Sequence, residues 1–488
     1  MCGVFGAFGH PNGKQLTKTG IWAEQHRGQD ACGLACLQIT GPGRGLVEVE
    51  KGRGKIREVF QGAEFDDLHG DAWIAHVRYA TQGVPSRRNA QPHYAQSIHG
   101  KIAIVSNGDI VNMPEQRHFL DQHNIRTYTE NDAELIAASI NYQVTLRNRD
   151  VIDAIGQVMD HVHGAFSSLV LAEFDDRLFA FRDPHGIRPL FFATVEDQTG
   201  RYYLFASETA AFSAAMPLFG PSAKIESRMV GAGEVVAVGP RGVETFQVRP
   251  AGREAFCLFE IVYFSRPDSV FQGKSFQSYR MNAGARLFQE HPADCRLVSP
   301  IPKSGIPAAM GYAREAKVPF VSAVIENPSF DIDFQQLRTF IQSTEQERLL
   351  AAQLKFNCIA DIVRDNDVTV VDDSIVRGLV TRVVNGSLWS VGARRIHTRI
   401  ASPPYRHPCF YGIETKKRAT LAAAARSTEE VREVIGRPTS LAHLSLEGLV
   451  KSTGLEKCQL CTACFDGDYC VPPGNGNGNG NGSCNGNA

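Results

Sequence analysis

The sequence has almost no net charge and no long apolar run. Its 51 Lys and Arg residues balance 52 Asp and Glu residues, which leaves a formal net charge of −1. A chain without a charge excess has no general attraction to nucleic acid or to an anionic membrane, so we expect neither as a partner. No apolar run approaches the roughly 18 residues of a membrane span. The first residues, MCGVFGAFGH, also lack the basic and apolar regions of a secretory signal, and we expect a cytoplasmic protein.

The composition is that of an ordinary folded protein with more than one domain. Hydrophobic residues make up 43% and charged residues 21% of the 488-residue chain, which is enough to form a sizeable core. At roughly 100–200 residues per domain, this length predicts two or three domains.

The order of the apolar runs divides the chain into two halves and a tail. Residues 2–245 carry frequent short β-like runs, such as KIAIVSNGD and SSLVLAEF, with occasional helical patterns, which indicates a layered α+β domain. In residues 255–470, apolar runs such as VTVVDDS alternate with helical segments, which indicates a parallel sheet with crossover helices. Residues 471–488 are rich in Gly and Asn, cannot bury a core, and are expected to be disordered.

Cysteine is abundant, and part of it is clustered. Four of the twelve cysteines stand in KCQLCTACFDGDYC, at Cys458, Cys461, Cys464 and Cys470. In a reducing compartment, the C-x2-C-x2-C spacing favours a metal or an iron–sulfur cluster over disulfides. Scattered buried thiols are the simpler alternative.

Cys2 directly follows the initiator Met and precedes a glycine. Removal of the methionine would expose an α-amine beside a thiol. Because an α-amine has a pKa of roughly 7.7–8.0, it can act as a general base near neutral pH. One residue would then supply both the nucleophile and the base. An accidental cysteine at this position is the alternative.

Five further positions in the first half carry groups suited to an amino-acid substrate. Arg78 ends an apolar strand, where its guanidinium could bind a carboxylate bidentately. The Asn107 amide and the Gly108 backbone N–H could form an oxyanion hole. Asp132 stands near a helix start and could meet a substrate ammonium, and Arg27 lies in a Gly-flanked loop. Taken singly, each could equally be part of a turn or a surface ion pair.

The second half contains an acidic loop, VVDDSIVRGLVT, after an apolar run. Two carboxylates suit ribose hydroxyls and a divalent cation such as Mg2+, and a loop at a helix start suits a phosphate. The residues that would form this site are Asp372, Asp373, Ser374 and Gly378. The loop ends in Leu379 and Val380, however, where a phosphate requires hydroxyl groups.

Together these motifs resemble the glutamine phosphoribosylpyrophosphate amidotransferase family in its iron–sulfur form. Further segments that carry the resemblance are RDPHGIRPLFF, FCLFEIVYFSRPDSVF, ASPPYRHPCFYGIE and CTACFDGDY, and it extends from residue 2 to about 470. It implies an N-terminal-nucleophile (Ntn) αββα glutaminase domain of class II, followed by an α/β type I phosphoribosyltransferase-like domain with a parallel sheet. It also implies a homo-oligomer, either a dimer or a tetramer.

The resemblance also implies roles for individual residues. Cys2 would attack the glutamine amide, Asn107 and Gly108 would hold the oxyanion, and Arg27 would shape the site. Arg78 would bind the α-carboxylate of glutamine and Asp132 its α-amine. A [4Fe–4S] cluster would be held by the matching cysteines Cys257, Cys409, Cys461 and Cys464. Zinc is the chemical alternative, since four thiolates also suit it.

The second half departs from the family pattern at several places. Besides Leu379 and Val380, the loop that closes over the substrate is replaced by VIENPSFDIDFQQLRTFIQ, which introduces Glu326, Asp331 and Asp333. Lys303 stands where the family's pyrophosphate loop is acidic, and one alignment places Glu326 at a lost lysine, which predicts a Lys303–Glu326 pair. Two unrelated surface charges are the alternative. Gln353 stands where the family usually has arginine.

Three hypotheses follow for the activity. The chain transfers glutamine ammonia to phosphoribosyl pyrophosphate or a related sugar phosphate, as Asp372 and Asp373 favour. Alternatively, it is a divergent paralogue that uses another acceptor, as the replaced loop favours. In the third, it is a glutaminase or regulatory pseudo-transferase without an acceptor of its own.

Overall fold

The computed structural model describes residues 1–79, 86–250, 253–327 and 352–473 of the chain. Asp331 and Asp333 of the replaced loop, and the Gly/Asn tail beyond residue 473, lie outside these ranges. None of the helices within the ranges is long and apolar enough to cross a membrane.

Two antiparallel sheets make up most of the first half. Its strands are β1 (Gly3–Phe8), β2 (Ala31–Gly41), β3 (Arg44–Arg53), β4 (Ala72–Arg78), β5 (His93–Ser97), β6 (Gly100–Ile110), β7 (Gly164–Ala172), β8 (Asp175–Arg182), β9 (Phe191–Glu196), β10 (Arg201–Ala206), β11 (Lys224–Met229), β12 (Glu234–Gly239) and β13 (Gly242–Gln247). One sheet has seven strands in the order β11-β9-β10-β1-β4-β2-β3, and the other has six in the order β13-β12-β8-β7-β6-β5.

Helices cover the outer faces of both sheets. They are α1 (Gly13–Ala23), α2 (Ile56–Val59), α3 (Ala63–Asp66), α4 (Met113–Gln122), α5 (Asp132–Arg147), α6 (Val151–His161) and α7 (Thr209–Ala215). On the seven-stranded sheet, Leu16 of α1 and Phe212 of α7 share a core with Phe5. On the six-stranded sheet, Ile136 of α5 shares a core with Phe166.

The alternation of side chains along the strands produces this layering. Val4 belongs to the core between the two sheets, together with Leu169, whereas its neighbour Phe5 belongs to the outer core under α1 and α7. Successive strand residues point to opposite faces, so a strand with two apolar faces needs a layer on each side. The αββα arrangement predicted for the first half is therefore present.

The second half alternates short strands and helices. Its strands are β14 (Phe256–Cys257), β15 (Val270–Phe271), β16 (Lys274–Ser275), β17 (Leu297–Pro300), β18 (Val324–Glu326), β19 (Phe356–Cys358), β20 (Asp367–Asp372), β21 (Arg395–Ile400), β22 (Ser440–His443) and β23 (Leu460–Cys461). Its helices are α8 (Phe276–Glu290), α9 (Ile306–Ala316), α10 (Ala360–Val363), α11 (Leu379–Ser390), α12 (Thr428–Val434), α13 (Leu446–Thr453) and α14 (Ala463–Asp466).

A parallel sheet in the order β17-β20-β21-β22 forms the centre of this half. Every residue of β20 is buried. Val371 packs with Tyr312 of α9 on one face, and Val370 packs with Leu388 of α11 on the other. A strand covered on both faces has a continuous apolar run in its sequence, which is why VTVV predicted a parallel sheet correctly.

The C-terminal segment returns to the start of the second half. Strand β23 pairs in parallel with β14, which places Cys461 opposite Cys257. Residues 471–473, which we expected in the disordered tail, are part of the described chain. Val471 exchanges hydrogen bonds with the Tyr411 hydroxyl, at 2.6 and 2.9 Å. These backbone hydrogen bonds extend the folded region past the predicted start of the tail at residue 471.

Candidate active sites and the buried network between them

Cys2 lies immediately before β1 in a buried polar environment. The residue is 8% exposed, and its thiol donates a hydrogen bond to the carbonyl oxygen of Tyr79 at 3.7 Å. Burial raises the pKa of this thiol. The Cys2 nitrogen donates to Asn107 Oδ1 at 3.3 Å. It is a peptide nitrogen here because Met1 is present, and it becomes the α-amine once Met1 is removed.

Asn107 and Gly108, the predicted oxyanion hole, lie next to each other on β6. Asn107 is buried, and its Nδ2 atom has no hydrogen-bond partner among the described residues. Gly108 has a φ of 151°, and a Cβ there would lie 1.9 Å from the carbonyl oxygen of Ala165 on β7, so only glycine fits. A buried donor without a partner costs free energy, so Asn107 Nδ2 is suited to a polar atom of a ligand.

Arg78 and Asp132 both lie close enough to Cys2 to act on its thiol. Arg78 is the last residue of β4 and Asp132 the first of α5, and both are buried. After the larger effect of burial, Arg78 lowers and Asp132 raises the pKa of the Cys2 thiol. In the described part of the chain, Asp132 Oδ2 has no hydrogen-bond partner. Around Cys2, the fold thus gathers a guanidinium, a carboxylate and an amide donor, the groups that a free amino-acid amide requires.

Arg27 contacts the backbone of Cys2. Its Nε donates to the Cys2 carbonyl oxygen at 2.9 Å. Its remaining donors bind two buried carboxylates, Glu208 at 2.6 Å and Glu260 at 2.7 Å. All three side chains are 0–1% exposed. Arg27 is therefore placed to hold the backbone of Cys2, which agrees with a role in shaping the site.

Arg188 extends this buried network into the second half. Its Nη1 atom lies 3.5 Å from Glu260 Oε1 and 3.5 Å from Cys257 Sγ, and its Nη2 lies 4.0 Å from Cys409 Sγ. Its Nε donates to the Tyr411 carbonyl oxygen at 2.6 Å. A continuous chain of charged groups thus joins two of the predicted cluster ligands to the backbone of Cys2.

The four predicted cluster ligands share one buried region. Cys257, Cys409, Cys461 and Cys464 are 5–7% exposed. Burial raises the pKa of the Cys257 thiol to about 12, and the charges of Cys461 and Cys409 add to this effect. Burial likewise raises the pKa of the Cys464 thiol, with contributions from the other three cysteines. Four buried thiols beside the Arg188 guanidinium fit a group that binds thiolates.

No three His, Cys, Asp or Glu side chains of the described ranges converge closely enough to hold one metal ion. Cys470, which the family pattern does not use, also lies at this region. Its side chain is hydrogen bonded to Cys461, which lowers the pKa of the Cys470 thiol.

The acidic loop lies at the carboxyl end of β20, where parallel sheets bind ligands. Asp372 ends the strand, and Asp373 follows it; both are buried. Burial raises the pKa of Asp372, and the charge of Asp373 raises it further. Ser374 Oγ donates to Asp373 Oδ1 at 2.5 Å. Gly378, with a φ of 79°, forms the N-cap of α11. Two buried carboxylates with raised pKa values are suited to a divalent cation.

The loop with Lys303 packs directly on the acidic loop. A Cβ at Gly305 would lie 2.5 Å from the Val371 carbonyl oxygen and 3.2 Å from the Asp372 Cα. Ser304 hydrogen bonds to the Asp373 side chain, which lowers the pKa of Asp373 against the larger effect of burial. The two loops that the sequence assigned to one acceptor site therefore do adjoin.

Two unusual positions of the acceptor site, Lys303 and Val380, lie at its exposed rim, whereas the Glu326 side chain beside them is 12% exposed. Val380 is 38% exposed, whereas the hydroxyl-bearing Thr381 is 2% exposed and packed inside. The predicted pair between Lys303 and Glu326 is confirmed, with Lys303 Nζ 3.7 Å from Glu326 Oε2. Lys355 approaches the same carboxylate, with 3.2 Å between Nζ and Oε1. Glu326 therefore partly neutralises two lysines beside the loop.

Two tyrosines lie near the two sites. Tyr79, whose carbonyl accepts from the Cys2 thiol, is 43% exposed, and Tyr263 is 46% exposed. Burial of the Tyr263 hydroxyl raises its pKa to about 12, and the nearby Asp373, Asp372 and Tyr79 raise it further. Tyr263 is thus within electrostatic reach of both the acidic loop and the Cys2 site.

The chain is similar to known proteins along nearly its whole length. Residues 76–214 match the family model described as glutamine amidotransferase domain. The amidophosphoribosyltransferase of Synechocystis sp. is 36% identical over 470 residues, which are 96% of this chain and 90% of that one. The amidophosphoribosyltransferase of Methanothermobacter thermautotrophicus is 37% identical over 480 residues, 96% and 94% of the two chains. The chain belongs to the amidophosphoribosyltransferase family.

A solved structure extends this likeness to both halves. The Bacillus subtilis glutamine phosphoribosylpyrophosphate amidotransferase, complexed with ADP and GMP, matches with a TM-score of 0.84 and 34% identity, over 97% of this chain and 98% of that one. This match confirms the resemblance and the predicted fold class, an Ntn glutaminase domain followed by a phosphoribosyltransferase-like domain. The chain is a class II glutamine amidotransferase of the amidophosphoribosyltransferase type. The hypotheses of another acceptor and of a pseudo-transferase are not favoured.

Several residues of the two sites were not singled out from the sequence. They are Glu208, Glu260 and Arg188. Glu260 and Arg188 stand inside FCLFEIVYFSRPDSVF and RDPHGIRPLFF, which carried the family resemblance, and Glu208 stands in the stretch ASETAAF. These stretches of sequence indicated functional importance. The ion-pair partners within them are far apart in sequence, however, and only the fold brings them together.

Proposed function

We propose that the chain hydrolyses glutamine at Cys2 and passes the ammonia to phosphoribosyl pyrophosphate at the Asp372–Asp373 loop. The observation that supports glutamine hydrolysis is the environment of Cys2. There, Asn107 Nδ2 and Asp132 Oδ2 are buried without a hydrogen-bond partner in the described ranges. A buried donor and a buried acceptor next to a nucleophile are suited to the carbonyl and the ammonium of one amino-acid substrate.

In this proposal, the Cys2 sulfur attacks the amide carbon of glutamine. Arg78 binds the α-carboxylate and Asp132 the α-ammonium, so the amide is held at the thiol. Asn107 Nδ2 and the Gly108 N–H stabilise the oxyanion. The α-amine that removal of Met1 exposes takes the thiol proton and returns it to the leaving nitrogen. Ammonia departs as the C–N bond breaks, and water then hydrolyses the thioester to glutamate.

The acidic loop is proposed to hold the acceptor. Asp372 and Asp373 suit the ribose hydroxyls, and the Ser374 hydroxyl and the backbone up to Gly378 suit the phosphate. Mg2+ would supply positive charge for the pyrophosphate, with the same carboxylates as its ligands. Ammonia attacks C1 of the ribose, and the C1–oxygen bond to pyrophosphate breaks. The electrostatic influence of both Asp373 and Tyr79 on the Tyr263 hydroxyl supports a short path between the two sites.

We further propose that Cys257, Cys409, Cys461 and Cys464 hold a [4Fe–4S] cluster. Their common burial and the Arg188 contacts to two of the sulfurs support this assignment. The cluster would join three distant segments of the chain and so stabilise the second half.

Domain boundaries and setting are also proposals. We assign residues 2–245 to the glutaminase domain and 255–470 to the phosphoribosyltransferase-like domain with the cluster ligands. A cytoplasmic location agrees with reduced cysteines, since those of the described ranges form no disulfide. We propose a homo-oligomer, and no nucleic-acid or membrane partner.

The test of the activity is calorimetry of phosphoribosyl pyrophosphate with Mg2+ on anaerobically purified protein, with glutamate release followed in the same sample. Binding that accelerates glutamine hydrolysis is expected. Hydrolysis without any binding would mean that the acceptor is another compound, whereas binding without hydrolysis would contradict the assignment of Cys2.

The cluster is tested by iron, acid-labile sulfide and zinc analysis. About four irons per chain are expected, with a loss of iron in Cys464→Ser. Cys470→Ser serves as the matched control, because Cys470 lies at the same region without being a proposed ligand. A chain that carries zinc and no iron would show the assignment to be wrong.

A further inference from the structure

The loop that follows Cys409 reaches back into the glutaminase half. A Cβ at Gly412 would lie 3.3 Å from the Gly108 Cα, so the two backbones are in direct contact beside the oxyanion hole. Gly412 also has a φ of 112°, which favours glycine. Four residues later, Lys416 Nζ lies 3.1 Å from Asp109 Oδ2. A residue of the second half thus contacts the strand that carries Asn107 and Gly108.

Asp109 is a buried carboxylate beside a second one. Its side chain is 2% exposed, whereas that of Lys416 is 36% exposed. Burial and the charge of Asp109 raise the pKa of Asp132 to about 7, and the charge of Lys416 opposes this effect. Two buried like charges disfavour each other's ionisation, and a cation at the pair relieves the repulsion.

We propose that Lys416 is a positioning residue for glutamine, which neutralises Asp109 so that Asp132 presents an ionised carboxylate to the α-ammonium of the substrate. The proposal rests on the proposed role of Asp132 in binding glutamine. It adds a residue of the phosphoribosyltransferase-like half to the glutamine site. Because Lys416 and Cys409 share one loop, here named the cluster loop, glutamine recognition also depends on the placement of this loop.

The sign of the pH dependence follows from the charges around Asp132. The groups that act on it or face it are Asp109 on β6, Lys416 on the cluster loop, and the thiol of Cys2, which Arg78 also influences. A carboxylate binds an ammonium only above its own pKa. Removal of Lys416 raises the pKa of Asp132, so glutamine binding should weaken at pH 7 and recover as the pH rises. Removal of the Asp109 charge should act in the opposite direction.

The experiment uses glutamine calorimetry on full-length chains that carry Cys2→Ala, so that no hydrolysis occurs, between pH 6 and 9 (chosen to bracket a pKa of about 7). Lys416→Met should weaken binding about three- to tenfold at pH 7 and move the midpoint of the pH profile upward. Lys416→Arg should bind like the parent, since it keeps the charge. Asp109→Asn combined with Lys416→Met should restore both affinity and midpoint.

Lys417→Met is the matched control, because Lys417 is the exposed neighbour on the same loop, and it should bind like the parent. Equal binding by Lys416→Met and the parent at every pH would overturn the proposal while leaving the proposed function intact. A loss that is the same at every pH, or that the double variant does not restore, would make Lys416 merely structural and also overturn it. Absence of glutamine binding in every chain, the parent included, would refute the site itself and the inference with it.

The same variants with Cys2 intact give an independent readout. Lys416→Met should raise the KM for glutamine hydrolysis with little change in kcat, because the reacting atoms are untouched. A lower kcat with an unchanged KM would contradict a positioning role.

Discussion

The proposed glutaminase site and the proposed acceptor site of this chain differ in how far their polar side chains are buried. Around Cys2, the predicted side chains are all buried, and Arg27 is joined to other buried charges, including Glu260 at 2.7 Å. At the acceptor site, two of the unusual residues lie on an exposed rim, Lys303 at 74% and Val380 at 38% exposed. A change inside a buried network leaves a partner uncompensated, whereas an exposed charge can be exchanged at little cost. This difference explains how one site keeps the family pattern while the other departs from it.

The largest effect is expected for Cys2→Ala, which separates the two sites completely. Loss of the nucleophile should reduce glutamine hydrolysis by at least about a thousandfold. Transfer with ammonium as the nitrogen source should persist, because the acidic loop is unchanged. Glutamate release measures glutamine hydrolysis, and ammonium-dependent release of pyrophosphate from phosphoribosyl pyrophosphate measures the transfer. Substantial hydrolysis by Cys2→Ala would show that the nucleophile is another residue.

How far the sequence predicted these sites depends on whether a residue carries a local signal. Cys2 could be proposed as the nucleophile because it directly follows Met1. Asn107 and Gly108 could be proposed as the oxyanion hole because they are adjacent in a short motif. The parallel sheet was readable because VTVV is buried on both faces. The Arg27–Glu260 contact joins residues separated by 233 positions. A pairing of this kind leaves no periodicity or spacing in the sequence, so only the fold reveals it.

The second largest effect concerns the buried network that joins the two halves. Glu260→Gln should destabilise the protein by about 3–5 kcal/mol, because Arg188 and Arg27 lose a buried counter-charge. Urea unfolding followed by fluorescence measures the change. Glu244→Gln is the matched control, since Glu244 is 49% exposed in its pair with Arg177, and it should change stability by less than about 1 kcal/mol. Equal effects of the two variants would contradict the importance of the network.

A smaller effect is expected at the acidic loop, where one substitution should lower the activity and raise the stability. Asp373→Asn should lower kcat/KM for phosphoribosyl pyrophosphate about thirtyfold, the equivalent of one charged hydrogen bond. It should also raise the melting temperature by about 2–4 °C in the absence of Mg2+. Burial raises the pKa of Asp373, so the unfolded chain ionises first and stability falls as the pH rises above the ordinary carboxyl pKa.

Asp361→Asn, on an exposed position of α10, is the control and should leave both quantities near those of the parent. If Asp373→Asn lowers the melting temperature instead, the carboxylate stabilises the fold, and its hydrogen bonds outweigh its burial and its repulsion with Asp372. If the variant transfers normally, the acidic loop is not the acceptor site.

The smallest effect is expected at the rim, with Glu326→Gln. The Glu326 carboxylate forms ion pairs with Lys303 and Lys355. Removal of its negative charge should therefore make both lysines more available to bind a pyrophosphate group. Phosphoribosyl pyrophosphate should bind about threefold more tightly, because partly exposed ion pairs contribute only about 0.2–1 kcal/mol. Calorimetry at low and high salt measures the gain, which salt should reduce. Glu447→Gln, in an exposed helical pair with Lys451, should give no gain. Weaker binding by Glu326→Gln would mean that Glu326 holds the loop in its binding form, and the rim would then be as constrained as the glutaminase site.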